Sequence, residues 1–348
     1  MKKFTFLFVL FFCAKMAFGQ WEAIGTLESR TVYDIFESNG SIYFNSCDGT
    51  GIYKSTDNGV TWNKKIYFEV FGDNYCPYYF KSYNFGDTLL FCFDIAVFRS
   101  FDNGETWSYT ILPRTSNDFF MIDNKLYSLY EPSYKQYYSV DYGLNWIVDS
   151  TSAFVNKNIK NSFVFQDKVY FFEYTMPGNS LYKINNEDSI TKMLDFTSEN
   201  YYVATNHDRI TILHYQMMSG AFITSSNGGQ TWQNHPISPS NNLYAYEFWY
   251  NGDTLFQKYN DKIYTTLDAG ISWQTYNFDL NYEIIGKPLI SNGYQFFSSQ
   301  NNSIFRNPIG SYLNWTNLGP SFTAHYVTLL RKFEIPSFIS LICQWFLF

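Results

Sequence analysis

Ser55-Thr-Asp-Asn-Gly-Val-Thr-Trp62 decides how this chain is read, because the phrase keeps coming back. SFDNGETW ends at Trp107, SVDYGLNW at Trp146, SSNGGQTW at Trp232 and TLDAGISW at Trp273, and a worn copy, RNPIGSYLNW, ends at Trp315. The tryptophans fall 45, 39, 86, 41 and 42 residues apart, and 86 is two steps of 43. A period of about 40 to 45 residues marks a repeat architecture. The double step predicts a decayed copy near residue 190. SLYKINNEDSITKM, from Ser180, aligns without gaps on GIYKSTDNGVTWNK, from Gly51, with Asn186 in the place of Asp57 and Thr191 in that of Trp62. A second marker gives the same count of seven units: a polar turn pair once per unit, at Asn39-Gly40, Gly86-Asp87, Asp123-Asn124, Gln166-Asp167, His207-Asp208, Asn251-Gly252 and Asn292-Gly293.

One unit reads as four short strands. In the first they are TVYDIFES, SIYFNS, GIYKST and TWNKKIY, separated by strong turn chemistry. Apolar and polar residues alternate roughly by twos, the period of half-buried strands, and no stretch shows a helical stripe. Four strands in about 40 to 45 residues is the size of a propeller blade. The predicted fold is therefore all-β, a seven-bladed β-propeller of four-stranded antiparallel blades over residues 20–330. Closing the ring leaves only short sheet edges. Trp21-Glu22-Ala23-Ile24 resembles the last strand of a unit, so the N-terminus is expected to add an outer strand to the C-terminal blade.

The repeated residues read as structural. Ser55, Ser100, Ser139, Ser225 and Thr266 supply a hydroxyl that bonds to backbone. Asp57, Asp102, Asp141, Asn227 and Asp268 are expected to close an Asx turn by accepting from an N–H two residues on. Gly59, Gly104, Gly143, Gly229 and Gly270 allow the positive φ of a tight hairpin. Trp62, Trp107, Trp146, Trp232, Trp273 and Trp315 cover the turn and pack against a neighbour.

The phrase S-x-D-x-G-x-T-W resembles the Asp-box, or BNR repeat, of sialidases and many secreted propellers, and the resemblance runs over about residues 21 to 320. It implies a hairpin on the outer part of each blade, away from an active site. Asp-box propellers include sialidases, xyloglucan-degrading enzymes, sortilin-type receptors and photosystem assembly factors, so the resemblance implies a fold and leaves the task to be argued from a site.

Composition sets further bounds. Aromatics are 22% of the chain, which suits sheets, and charged residues only 16%. Residues 1–19 read as an export signal: Lys2 and Lys3, an apolar run from Phe4 to Phe12, and Ala17-Phe18-Gly19 before Gln20. A secreted or cell-surface protein, with no membrane span in the mature chain, is the expectation. Removing those residues takes away Lys2, Lys3 and Lys15, so the net charge goes from −7 to −10. An acidic body disfavours nucleic acid as a partner. Cys76 and Cys92 flank the first strand of the second unit and are placed to pair, while free buried thiols fit the spacing as well. The apolar stretch at 331–348 lacks a turn and reads as a truncated or shifted reading frame.

Catalytic chemistry is thinly represented. The sialidase resemblance would require three arginines gripping a carboxylate, but residues 20–348 hold only six, Arg30, Arg99, Arg114, Arg209, Arg306 and Arg331. Arg99 and Arg306 stand just before the Asp-box turn, on the outer part of the blade. Hydrolysis of a neutral glycan needs two carboxylates across a cleft. Asp34 and Glu247, acids among apolar neighbours, are the weak candidates, against a plain reading as strand-end or strand-face residues. His207, His214, His235 and His325 lack metal-ligand spacing, so neither a metal nor a cofactor is expected. The remaining class is binding. Tyr75, Tyr78, Tyr79 and Phe80, and Tyr244, Tyr246, Phe248, Trp249 and Tyr250, are aromatic-rich segments suited to a sugar or protein partner or, more simply, to sheet packing. The expected role is a non-catalytic recognition or scaffolding module for a protein or carbohydrate ligand, with a glycoside hydrolase as the alternative.

Overall fold

The computed structural model describes residues 22–23, 32–46, 51–66, 80–130, 136–175, 178–196, 200–216, 219–235, 247–259, 262–277, 284–299 and 304–308. The chain divides into a unit of residues 1–318 and one of 319–348, and all described residues belong to the first. The proposed export signal and apolar tail lie outside the described residues.

The described strands form seven sheets of four, each antiparallel, giving a seven-bladed β-propeller. Six blades take their strands in chain order. Blade 1 runs Val32–Ser38, Ser41–Ser46, Gly51–Ser55 and Asn63–Ile66. Blade 7 takes Ile284–Ser291, Tyr294–Ser299 and Ile304–Pro308 from its own repeat, and its outer strand is Glu22–Ala23, pairing with Arg306 and Phe305. The ring is thus closed by the N-terminal strand expected from Trp21–Ile24. First strands touch between blades 1 and 2, 3 and 4, 5 and 6, 6 and 7, and 7 and 1, so the first strand of each unit is the inner one.

Antiparallel order fixes what lies where. Each first strand ends in a tight turn, and the third strands of blades 1, 2, 3, 5 and 6 end in Asp-boxes, so both kinds of hairpin crowd one end of the ring. Six of the first turns have positive φ at both residues, as at Asn39 (46°) and Gly40 (73°), or only at a leading glycine, as at Gly86 (70°), which are the twist-matched hairpin geometries, whereas the His207-Asp208 turn of blade 5 has it at neither. In blade 6 the turn pair is Gly252-Asp253, one residue later than the sequence reading, because Asn251 pairs with Thr254. Blade 4 is the decayed copy: Gly178–Asn186 and Ser189–Phe196 meet in a plain tight hairpin.

The core lies between blades. Phe44, Ile35 and Tyr53 of blade 1 pack with Phe296 and Ile304 of blade 7, and Trp62 joins that cluster, edge-on to Phe44 at 4.6 Å. Trp107, Trp146, Trp232 and Trp273 enter the clusters that their blades share with the preceding one. Trp315 lies outside the described residues. Cys92 is a free, buried thiol in the apolar layer between blades 2 and 3. The alternative pairing with Cys76 is therefore absent, and burial pushes the Cys92 thiol pKa up, away from thiolate reactivity.

Candidate functional site

The Asp-boxes use their polar atoms internally. The Ser55 hydroxyl donates to Asp57 Oδ1 (2.8 Å) and accepts from the Gly59 amide (2.8 Å). Asp57 Oδ1 accepts from the Thr61 amide (2.8 Å), and Oδ2 from the Thr61 hydroxyl (2.6 Å). The carboxylate thus reaches four residues on rather than two; the short two-residue bond belongs to the Ser55 hydroxyl, which meets the Asp57 amide at 3.4 Å. Asn227 keeps the pattern without charge, its amide nitrogen donating to Thr231 Oγ1 (2.8 Å). These bonds hold each carboxylate below its ordinary pKa, Asp102 at about 2, chiefly through the Thr106 hydroxyl and amide.

Each described box also docks on the preceding blade. The Lys54 ammonium donates to the Asn103 carbonyl (2.6 Å) and pairs with Glu105 (2.7 Å), and the Tyr43 hydroxyl reaches the same carbonyl (2.7 Å). Arg99, fully buried, donates to the Tyr142 carbonyl (3.1 Å) and the Gly143 carbonyl (2.9 Å). Arg306 donates to the Asn58 carbonyl (2.8 Å) across the ring closure. Lys54, Arg99 and Arg306 occupy one aligned position, the cation before the box. Two of the arginines that a carboxylate grip would need are thus committed to holding blades together.

A different set of residues lies on the inner strands. Five residues before each first turn, the inner strands carry Asp34, Lys81, Asp118, Asn161, Tyr202, Glu247 and Lys287, in blades 1 to 7. Both sequence candidates, Asp34 and Glu247, fall in this girdle. Read around the ring from blade 6 through blade 7 to blade 3, the order is Glu247, Lys287, Asp34, Lys81, Asp118, with alternating sign. Lys81 donates to Asp118 Oδ1 (3.0 Å), the Phe119 carbonyl (2.7 Å) and the Ser162 hydroxyl (2.7 Å), tying blades 2, 3 and 4. Asp118 is fully buried. Strand irregularities fall beside Asp34 and Asn161 and around Lys287, the kind of local bend found at ring rims.

The aromatic segments divide. Residues 75–79, 244 and 246 lie outside the described residues. Trp249 is buried and stacked on Phe256 at 5.4 Å, and the Tyr250 and Thr211 hydroxyls share a hydrogen bond of 2.7 Å, which is sheet packing. Exposed rings occur instead at the hairpin end of blades 2 and 3, where Tyr142 touches Phe85 and Phe101, each at 5.9 Å between centroids. Phe101 and Tyr142 drew no notice in the sequence because they occupy variable slots of the Asp-box, and Phe85 because it ends an ordinary apolar strand. The signal was Tyr142, standing where sister copies carry Asn58, Asn103, Gly228 and Ala269.

Two turns also bring His207, Asp208 and Asp253 together, with ligand atoms within 4.8 Å of one another. All three are exposed, and Arg209 lines the same cleft with a competing positive charge. This grouping crosses blades 5 and 6 and is invisible in sequence spacing.

Comparison with known proteins gives the same class. The BNR/Asp-box repeat model matches residues 98–109. No curated protein matches the chain. The structure of YCF48 bound to D1 peptide is similar, with a TM-score of 0.62 and 15% identity over 84% of this chain and 98% of that one. A catalytically inactive virginiamycin B lyase from Staphylococcus aureus with quinupristin gives 0.60 and 12%, over 83% and 99%. A GH74 enzyme of Niastella koreensis gives 0.53 and 14% over 82% of this chain, which spans about half of the enzyme's length (53%). At such identities the likeness defines the fold alone. The chain is a seven-bladed β-propeller that carries Asp-box repeats, similar in fold both to a propeller solved with a bound peptide and to enzymes. No helix among the described residues is long and apolar enough to cross a membrane.

Proposed function

We propose that this chain is an exported, non-catalytic propeller that serves as a recognition or scaffolding module for a protein or carbohydrate partner. The observation that carries this reading is the commitment of its charged groups: Lys81 is bonded to Asp118 and Ser162, and Arg99 and Arg306 are bonded to Asp-box carbonyls. An accessible aromatic surface, Phe85, Phe101 and Tyr142, supports a binding role. Export is supported by the Lys2-Lys3, Phe4–Phe12 and Ala17–Gly19 pattern. The test is a screen of protein starting at Gln20 against chromogenic sialosides and xyloglucan, beside arrays of glycans and peptides. Binding without turnover is the expected result. Hydrolysis that disappears in Asp34→Asn or Glu247→Gln would establish the glycoside hydrolase in its place.

A further inference from the structure

Among the described residues, exposed apolar side chains are spread unevenly over the blades. Of thirteen large hydrophobic residues exposed among the described ones, four lie on blade 2 and five on blade 3, so nine of thirteen fall on two of seven blades. Blades 4 and 5 together contribute only Val164. The centre of this surface is an aromatic trio, Phe85 (41% exposed), Phe101 (52%) and Tyr142 (40%), in mutual contact through Tyr142 and flanked on its hairpin by Val140 and Leu144.

The trio sits at a cost to the fold. Tyr142 has φ 58°, a left-handed conformation that a bulky residue rarely adopts. Asn58 and Asn103 fill the same slot at 56° and 53°, and Asn tolerates it. A strained, exposed ring in contact with two other exposed rings points to use rather than packing. The neighbouring sheet edges are bare as well. The outer strands Ser108–Ile111 and Ile147–Asp149 present Tyr109, Ile111, Ile147 and Val148 to solvent without Lys or Glu, whereas the outer strand of blade 1 carries Lys64 and Lys65. Proteins ordinarily guard such edges with charge.

The charges around the trio are acidic. Asp87, Asp102 and Asp141 each lie within two residues of one of its rings. The described cations of these blades are turned elsewhere: Arg99 is buried, Lys125 is paired with Glu187 at 2.6 Å, Lys81 belongs to the axial girdle, and Arg114 follows the outer strand of blade 2 at the opposite end. We infer that the hairpin end of blades 2 and 3 is a docking surface for a protein segment that presents apolar side chains flanked by Lys or Arg. This rests on the recognition reading above and gives it a face and a partner chemistry. A second copy of the chain is the poorer occupant, since each carries a net charge of −7 and the same acids would meet.

The experiment is fluorescence anisotropy with two labelled nine-residue peptides, one alternating lysine with leucine and phenylalanine, the other with glutamate for lysine. The lysine peptide should bind the protein, and should bind at least tenfold more weakly in about 0.5 M salt than at low salt, where the Debye length is far longer. The double variant Phe101→Ser, Tyr142→Asn should lose at least tenfold in affinity. Leu267→Ser, which removes a still more exposed apolar residue from blade 6, should lose none. Because Asn suits the left-handed slot, the melting temperature of Tyr142→Asn should equal or exceed that of the parent, which separates lost binding from lost fold. The inference is overturned if the lysine peptide fails to bind, or binds the double variant as well as the parent, or if light scattering shows a dimer that the double variant dissolves. None of these outcomes produces sugar hydrolysis, which alone would overturn the non-catalytic reading.

Discussion

Asp102 accepts from the Thr106 amide (2.8 Å), the Thr106 hydroxyl (2.6 Å), the Ser100 hydroxyl (2.7 Å) and the Glu105 amide (3.1 Å). All four favour the ionised form, so its folded pKa of about 2 lies below the ordinary 3.8. Asp268 stands at about 2 for the same reasons, and Asp57 and Asp141 are lowered too. A depressed carboxyl pKa contributes stability above the unfolded value, and that contribution is lost as pH falls through the folded value. The melting temperature should therefore drop between about pH 4 and pH 2, where protons disarm several boxes at once. Asp102→Asn, which copies the neutral box at Asn227, should cost little at pH 7 and flatten part of that decline; a decline unchanged by the substitution would mean that other groups carry it. The box glycines separate backbone strain from crowding. A Cβ at Gly104 (φ 76°) would lie 2.6 Å from Tyr43 Cε1, whereas one at Gly40 (φ 73°) would meet nothing within 4 Å. Gly40→Ala should cost about 1–2 kcal/mol, the left-handed penalty alone. Gly104→Ala adds overpacking and should cost about 2–4 kcal/mol in denaturant titration.

Between elements, the same hairpin works as a joint. Its carbonyls, freed by the left-handed turn, face the preceding blade and are collected there by Lys54, Arg99 or Arg306. Arg99→Met keeps the apolar stem but leaves the buried Tyr142 and Gly143 carbonyls without their donor, and should cost about 2–4 kcal/mol. Arg99→Lys, a compact charge without the fork that spans both carbonyls, should recover only part of that. Equal stability for the methionine variant and the parent would show that packing, not carbonyl capture, seats the box. None of this was legible beforehand, though Arg99 and Arg306 were visibly placed before the box. The repeat shows that a position recurs, but the partner of Lys54 lies 49 residues away at Asn103, in the next unit. The axial girdle is similar. Asp34 and Glu247 stand out because acids are scarce in such apolar strands, yet Lys81, Asp118 and Lys287 attract no notice until registers align them. Phe101 and Tyr142 were hidden for a different reason: a motif's variable slots are discounted when the motif is read as structure.

At the scale of the whole molecule the reading from sequence went furthest. A fixed period with turn pairs as a second marker gives seven blades, including the decayed fourth, because each blade must present the same width and the same joint to its neighbour. What a period cannot state is how firmly the ring is shut. Blade 7 draws its outer strand from Glu22–Ala23, its third strand sends Arg306 to Asn58, Asn292 Nδ2 donates to Asn58 Oδ1 (2.8 Å), and Phe296 and Ile304 share a core with Ile35 and Phe44. Three kinds of bond thus cross one seam. Stability in stacked repeats is close to a sum of unit and nearest-neighbour terms, so damage at the seam should stay near it. Deleting residues 20–24 exposes the Ile304–Pro308 strand as a bare edge. Amide exchange should then lose protection first at Ile304–Pro308 and Tyr294–Ser299, with blades 2 to 5 close to the parent. Adding Arg306→Ala should spread the loss to Val32–Ser38, and by more than the two changes produce separately, because they act on one interface. If blades 2 to 5 lose protection in step with blade 7 after the deletion alone, the blades do not behave as neighbours in a row, and the closed ring itself is what holds each of them folded.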